Sequence, residues 1–248
     1  MRQWRAAVML LVFVTTYTRA QQRKPVCKVA VDIGHTEESR GATSARGVGE
    51  YVFNRNFAQV LVEKLARQGG LEAFVLDQTN KNLQERVTAA NLRDADLLVS
   101  IHHDSVQPQY LSTWVHSGAE HKYSDRFSGY SLFVSGKNPQ FDKSLRLARD
   151  IGSNLSEAGF SRSLHHAEKI PGENRTLIDP KLGIYQYDDL IVLKLPPIPA
   201  ALLECGVIVN RHDETELSDP AYVQKMVAAV AKGIVQACQS FGSLEAGK

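Results

Sequence analysis

The fold is decided by the segment Val26-Cys-Lys-Val-Ala-Val-Asp-Ile-Gly34, whose β-branched residues predict a short buried strand that ends at the glycine. From Glu50 onwards, apolar residues recur at spacings of three and four, which predicts an amphipathic helix with one buried face. Gly69-Gly70 ends that helix. A strand followed by a helix is the first unit of an alternating α/β pattern.

The same alternation continues along the chain. It predicts a single α/β domain with a mainly parallel central sheet and helices on both faces of the sheet. The further predicted strands are 73–76, 97–102, 129–135 and 200–207, and the further predicted helices are 83–95, 143–157 and 219–239.

The composition is that of an ordinary globular protein, since 43% of the 248 residues are hydrophobic and 23% are charged. The formal net charge is only +2, and no block rich in lysine and arginine is interleaved with aromatic residues. We therefore expect no nucleic-acid partner.

Residues 1–20 have the layout of a secretory signal peptide. Arg2 and Arg5 precede an apolar run over 6–14, and a small-residue ending precedes Gln21. That run is shorter than the roughly 20 residues that span a bilayer, so we expect no membrane span in the mature chain. The prediction is an exported protein, periplasmic or extracellular, with one domain over 21–248. Retention of the segment as an uncleaved anchor stays open.

The cysteine count limits the disulfides to one, because Cys27, Cys205 and Cys238 are the three that follow the predicted signal peptide. Cys205 lies in an apolar run and is interpreted as a small core residue. Cys27 and Cys238 lie near the two ends of the mature domain, where a bridge is conceivable in an oxidising compartment.

Two stretches, 106–128 and 161–189, interrupt the alternation with glycine, proline, serine and charged residues. Both are predicted to be long loops. Long loops in a compact domain are often functional covers, so both are candidates for substrate contact or gating.

Polar residues suited to metal binding or proton transfer stand at the ends of the predicted strands. His35 follows the first strand, His102 ends the third, and Glu204 lies near the end of the last. Ligands of open α/β sheets bind outside the carboxyl ends of the strands, so these residues are expected to meet at one edge. Glu50 projects from the same face of its helix as the apolar stripe, where a carboxylate needs a partner.

Two imidazoles and one carboxylate form a ligand set of catalytic zinc, which keeps a fourth position for water. Zinc lowers the pKa of that water towards about 7 and polarises a carbonyl group. A further carboxylate then takes a proton from the water and delivers it to the departing amine. Glu204 is the candidate, because partial burial in an apolar run raises the pKa of a carboxyl group.

Each of these residues also has a structural interpretation. His35 beside a glycine is alternatively a loop histidine, and Glu50 alternatively complements the helix dipole. His102 and His103 point to opposite faces of a strand, so only one of them faces a metal. The remaining histidines are interpreted as solvated or substrate-lining; they are His116, His121, His165, His166 and His212.

Short motifs extend along nearly the whole mature chain. They are Val31-Asp-Ile-Gly-His35, Gly49-Glu50, Glu85-Arg86 with Ala90-Asn91, Ser100-Ile-His102, and Leu202-Leu-Glu204 with Asn210. In content and order they resemble the zinc-dependent N-acetylmuramoyl-L-alanine amidases of the AmiC type.

The resemblance implies a zinc amidase catalytic domain over 21–248. It implies Zn²⁺ on His35, Glu50 and His102, it selects His102 over His103, and it makes Glu204 the catalytic acid and base. The implied substrate is peptidoglycan, at the amide bond between N-acetylmuramic acid and the first L-alanine of the stem peptide. The sequence does not specify an activator protein.

The chain departs from the family pattern at the rim of the expected site. Thr36-Glu37 follow His35 where the family has glycines, and Asp104 stands where an asparagine is typical. The usual aromatic residue between Gly206 and Asn210 is replaced. These departures concern substrate preference or loop position rather than the ligand set.

Two alternative functions stay open. One is a zinc carboxypeptidase-like peptidase acting on the stem peptide, which needs an arginine for the terminal carboxylate; Arg46, Arg126 and Arg162 are candidates. The other is a non-catalytic peptidoglycan-binding module, against which the presence of all three ligands and Glu204 argues.

Overall fold

The computed structural model describes residues 27–76 and 82–245. The predicted signal peptide over 1–20 lies outside the described residues. Nine strands and six α-helices occur within them. In chain order they are β1 (Cys27–Ile33), α1 (Glu50–Ala66), β2 (Leu71–Val75), α2 (Leu83–Leu92), β3 (Leu97–Asp104), β4 (Ser112–His116), β5 (Ala119–Tyr123), β6 (Ser131–Val134), α3 (Phe141–Glu157), β7 (Thr176–Asp179), β8 (Ile184–Gln186), α4 (Ile191–Lys194), β9 (Ala200–Val207), α5 (Arg211–Ser218) and α6 (Pro220–Glu245).

Seven of the strands form one sheet in the order β2-β1-β3-β9-β6-β8-β7. The first four strands of this order are parallel to one another. β6 pairs antiparallel with β9 and parallel with β8, and β7 pairs antiparallel with β8. The prediction of an α/β domain with a mainly parallel sheet is confirmed.

Helices cover both faces of the sheet because its strands alternate their side chains between two apolar cores. In β9, Ala201 and Leu203 face the core that α1, α3 and α6 cover. Ala200 and Leu202 face the other core, to which α2 and α4 contribute. Strands that are buried on both faces have nearly continuous apolar sequences, and apart from Glu204 the run in β9 is of this kind, which is why the sequence predicts its observed bounds.

The helix that begins at Glu50 buries the stripe that the sequence predicts. Phe53, Phe57, Leu61 and Leu65 are all buried on one side of α1, which packs against β3 and α6. Glu50 lies on this same buried side. The apolar stripe therefore fixes the rotation of the helix and with it the direction of the Glu50 carboxylate.

The prediction that 106–128 and 161–189 are long loops is wrong. The first stretch contains the antiparallel hairpin of β4 and β5, and the second contributes β7 and β8 to an edge of the main sheet. β4, β5 and β7 have four or five residues that are exposed or half-exposed, and β8 has only three residues, so none of them carries a long continuous apolar run. Helix α5, at 211–218, was also not predicted.

Cys27 and Cys238 form a disulfide with a Cα–Cα distance of 5.8 Å. The bond joins β1 to α6 across a sequence separation of 211 residues. Cys205 is free and buried, as its interpretation as a core residue requires. Within 27–76 and 82–245, no helix combines the length and the apolar character needed to cross a bilayer.

Candidate metal centre

Three side chains predicted to hold a metal come together at the carboxyl edge of the parallel strands. Glu50 Oε2 lies 3.0 Å from His35 Nε2, and Glu50 Oε1 lies 3.0 Å from His102 Nδ1. One potential ligand atom from each residue lies within 4.8 Å of the other two. We call these three residues the first cluster.

The chain approaches this cluster closely at two glycines. A Cβ atom on Gly34 would lie 2.4 Å from the His102 ring, and one on Gly41 would lie 2.4 Å from Glu50 Oε2. His35 itself has a φ of 65°, in the left-handed region that side chains rarely adopt. The backbone before α1 is therefore shaped to bring His35 against Glu50.

Arg86 holds the end of β1 next to the first cluster through hydrogen bonds to the backbone. Its buried guanidinium donates to the carbonyl oxygens of Ile33 and His35, both at 2.9 Å, and to Asp32 Oδ1 at 3.3 Å. Ser100 Oγ donates to the other oxygen of Asp32 at 2.6 Å. This explains why an Arg86 motif belongs to the pattern: it orients the backbone that carries His35.

Glu50 is buried and its oxygens are hydrogen-bonded beyond the two imidazoles. The backbone N–H of Ala42 donates to Oε2 at 3.0 Å, and Asn54 Nδ2 donates to Oε1 at 3.1 Å. Burial acts to raise the pKa of Glu50, but hydrogen bonds and charge from His102 and His35 outweigh it and hold the pKa far below its usual range. Glu50 is thus an anionic group at neutral pH.

His103 lies outside the first cluster and has a different role from its neighbour. Its Nδ1 lies 2.7 Å from Asn54 Oδ1, and its ring packs against Phe53 and Phe57. Burial lowers the pKa of His103 to about 3. His103 is therefore a neutral residue that supports Asn54, which in turn holds Glu50.

Glu204 lies on β9 directly opposite His102 in the register. It is partly buried, and its Oε2 has no hydrogen-bond partner among the described residues. Desolvation raises the pKa of Glu204 well above its usual range, and the charges of Asp104 and Glu50 raise it further. A carboxyl group in this environment exchanges a proton at a less acidic pH than an exposed glutamate does.

His102 and Glu204 line a cavity of about 370 Å³. The stretch 161–189, predicted as a covering loop, supplies part of the lining through His166, Glu173 and Arg175. The cavity thus joins the first cluster to a charged wall, and apolar side chains complete the lining. Gating by this stretch stays a prediction.

Some residues of this region escaped sequence reasoning. Asp104 was noted only as a departure from a family pattern, and Glu173 only as part of a loop. His165 is buried rather than solvated, and His166 lines the cavity. The only signal for them was the adjacent pair of histidines, which has no diagnostic spacing.

The sequence model of the N-acetylmuramoyl-L-alanine amidase family, Amidase_3, matches residues 29–236 of the chain. The chain belongs to this family. It is therefore a peptidoglycan amidase, which is a hydrolase, and the resemblance noted in the motifs is confirmed.

Relatives of this amidase extend over most of its length. The "Uncharacterized protein YqiI" of Bacillus subtilis (strain 168) is 28% identical over 234 residues, which cover 93% of this chain and 95% of that protein. The N-acetylmuramoyl-L-alanine amidase AmiA of Escherichia coli (strain K12) is 27% identical over 217 residues, which cover 84% of this chain and 74% of AmiA.

The fold also matches solved amidase structures. The N-acetylmuramoyl-L-alanine amidase from Clostridium difficile 630 has a TM-score of 0.67 and 23% identity, covering 88% of this chain and 99% of that one. At this identity the similarity concerns the fold.

The donor atoms of the first cluster fit a zinc ion. Ligand atoms held tetrahedrally at about 2.1 Å from one ion lie about 3.4 Å apart, close to the 3.0 Å separations observed. His102 borders the cavity, and a site with three protein ligands keeps a fourth position for water, which is typical of catalytic rather than structural zinc.

Proposed function

We propose that this amidase uses zinc to hydrolyse the amide bond between the lactyl group of N-acetylmuramic acid and L-alanine in peptidoglycan. His35, Glu50 and His102 would hold the ion. Zinc in such a site supplies Lewis-acid chemistry, polarising a carbonyl group and lowering the pKa of water towards about 7. Glu204 carries the protons.

The observation that carries this proposal is the free carboxyl oxygen of Glu204. Glu204 Oε2 has no hydrogen-bond partner in the described part of the chain, although the residue is partly buried, and the side chain lines the same cavity as His102. A buried polar group without a partner costs about 1–3 kcal/mol, so a structural role for it is unfavourable. In the proposed mechanism this oxygen would accept a proton from water and return it to the departing amine nitrogen.

The other residues of the site orient these groups. Asn54 and the Ala42 N–H hold the Glu50 carboxylate, while Arg86 holds the carbonyl of His35. The raised pKa of Glu204 suits a group that must bind and release a proton in one cycle, since general catalysts work best with a pKa near the working pH.

The peptidase alternative finds little support around the cavity. Arg46, Arg126 and Arg162 make other contacts, and none of these three lines the cavity. Arg175 does line it, so product analysis remains the deciding observation.

We also propose that the chain is exported through the segment 1–20. The disulfide of Cys27 and Cys238 supports export, because such bonds persist in oxidising compartments and are rare in the cytosol. Peptidoglycan lies in the same compartment.

The test is digestion of purified sacculi by the zinc-loaded protein, with mass spectrometry of the products. The proposal predicts intact glycan strands and intact stem peptides with a free L-alanine amino group. Shortened stem peptides still attached to the glycan would contradict it and favour the peptidase.

The matched variants are Glu204→Gln in the cavity and Glu157→Gln on the surface, where Glu157 pairs with Lys232 at 3.5 Å. Glu204→Gln should keep zinc and lose activity by about 10²- to 10⁴-fold, the usual contribution of general acid–base catalysis. Glu157→Gln should keep both. Normal turnover by Glu204→Gln would remove Glu204 from the mechanism.

A further inference from the structure

A second group of histidine and carboxylate side chains lies beside the same cavity. Asp104 Oδ2 lies 2.7 Å from His166 Nε2 and 3.3 Å from His165 Nε2. These ligand atoms lie within 4.8 Å of one another, as they do in the first cluster. We call Asp104, His165 and His166 the second cluster; its donor set, two imidazoles and one carboxylate, is the same as that of the first.

The outer nitrogens of both imidazoles are held by further polar groups. His166 Nδ1 donates to Glu173 Oε2 at 2.8 Å, and His165 Nδ1 lies 2.7 Å from Ser163 Oγ. Gln107 Nε2 donates to the other oxygen of Glu173 at 2.9 Å. Metal-binding histidines characteristically have such a partner on the nitrogen that does not bind the metal, because it fixes the ring and directs the other nitrogen at the ion.

The inner nitrogens are turned towards a carboxylate in a place shielded from water. His165 has a side-chain exposure of 2%, and its Nε2 has no hydrogen-bond partner among the described residues. The two rings lie with their centroids 3.9 Å apart. Burial acts to lower the pKa of His166, but Asp104 and Glu173 outweigh it and raise the pKa to about 9, so a divalent cation that contacts all three donors would displace the proton of this ring.

We propose that Asp104, His165 and His166 form a second site for a divalent transition metal, with Zn²⁺ the first candidate. The distances of 2.7 and 3.3 Å are near the separation of about 3.4 Å between ligands of one tetrahedral ion. His166 and Asp104 line the same cavity as Glu204.

The second site fastens two parts of the chain that are distant in sequence. Asp104 ends β3, whereas the histidines follow α3 in the short helical turn His165–Ala167. A cation there would secure the stretch 163–175 against the central sheet and place a positive charge in the cavity that Glu204 also lines. That charge suits a carboxylate or carbonyl oxygen of a bound peptide.

The experiment is equilibrium dialysis of the purified protein against Zn²⁺, with the metal bound per chain measured by mass spectrometry. The wild type should bind two ions. His35→Ala should bind one, because it loses a ligand of the first cluster, and His165→Ala/His166→Ala should also bind one. A single ion in the wild type, or two ions in the double variant, overturns the proposal.

A single conservative substitution outside the three proposed ligands tests the proposal if the double variant does not fold. Glu173→Gln leaves all three proposed ligands in place but weakens the anchor of His166, so affinity for one of the two ions should fall about 10- to 100-fold. Unchanged affinity for both ions would contradict the proposal. The readout is metal binding alone, so it does not depend on the proposed amidase reaction.

Discussion

The first and second clusters have the same donor types, yet they are built in different ways. The first stands at the ends of β1 and β3 and at the start of α1, in the part of the sheet where all the strands are parallel. The second joins the end of β3 to the stretch before β7, beside the edge where strand directions alternate. A site at the ends of buried parallel strands can be predicted from the sequence, because the apolar runs locate the strand ends. A site that depends on the path of a long connection between strands cannot be predicted in this way.

The largest expected effect is the difference in activity between substitutions of two adjacent histidines of β3. His102→Ala should lose zinc from the first cluster and reduce hydrolysis by roughly 10³-fold or more, because Lewis-acid catalysis contributes several kcal/mol. His103→Gln should cost at most about 10- to 100-fold, since His103 supports Asn54 from outside the cluster. Zinc content and turnover of the two variants check this. Equal losses would show that the assignment of the two rings is wrong.

The next effect concerns Arg86, which holds the backbone beneath the first cluster. Arg86→Met leaves Asp32 buried without its cationic partner, which should cost about 3–5 kcal/mol in the free energy of unfolding. The control is Arg149→Met, where a half-exposed arginine lies 3.9 Å from Asp179 and the expected cost is at most about 1 kcal/mol. Urea titrations of both variants measure the difference. Similar costs for the two would contradict a special role of Arg86.

The disulfide anchors the parallel side of the sheet, because it ties β1 to α6. Cys27→Ala/Cys238→Ala should lower the free energy of unfolding by about 2–5 kcal/mol, mainly because the unfolded chain gains freedom. A reductant should lower the melting temperature of the wild type towards that of the double variant and leave the double variant unchanged. A wild type that is insensitive to complete reduction would contradict this.

The smallest effect is the pH dependence caused by His103. Its pKa in the folded protein is about 3, below the value of about 6.5 expected when unfolded. The unfolded chain therefore binds more protons between these values, so stability falls as the pH decreases through this window. In His103→Gln the slope should be smaller by up to about 1.4 kcal/mol per pH unit. Unfolding measured between pH 4 and 6 tests this, and equal slopes would contradict a neutral, buried His103.

The difference between the two regions also explains what the sequence revealed. β9 is buried on both faces, so its apolar run predicted its bounds, and the stripe on α1 predicted the direction of Glu50. β8 has only three residues and β4 is mostly half-exposed or exposed, so neither carries a pattern that distinguishes a strand from a loop.

The second cluster was invisible for a related reason. Asp104 and His166 are 62 residues apart and lie in segments without a shared motif. Only the pairing of β6 with β8 and β9, which brings the connection over the end of β3, places them together. No local periodicity encodes that approach.

The central claim is that zinc binds at His35, Glu50 and His102. Anomalous diffraction at the zinc edge, from crystals of the active protein, tests it directly. We expect a peak about 2.0–2.2 Å from His35 Nε2, from His102 Nδ1 and from a Glu50 oxygen. An active, zinc-loaded protein whose anomalous peaks all lie away from these three residues would contradict the account.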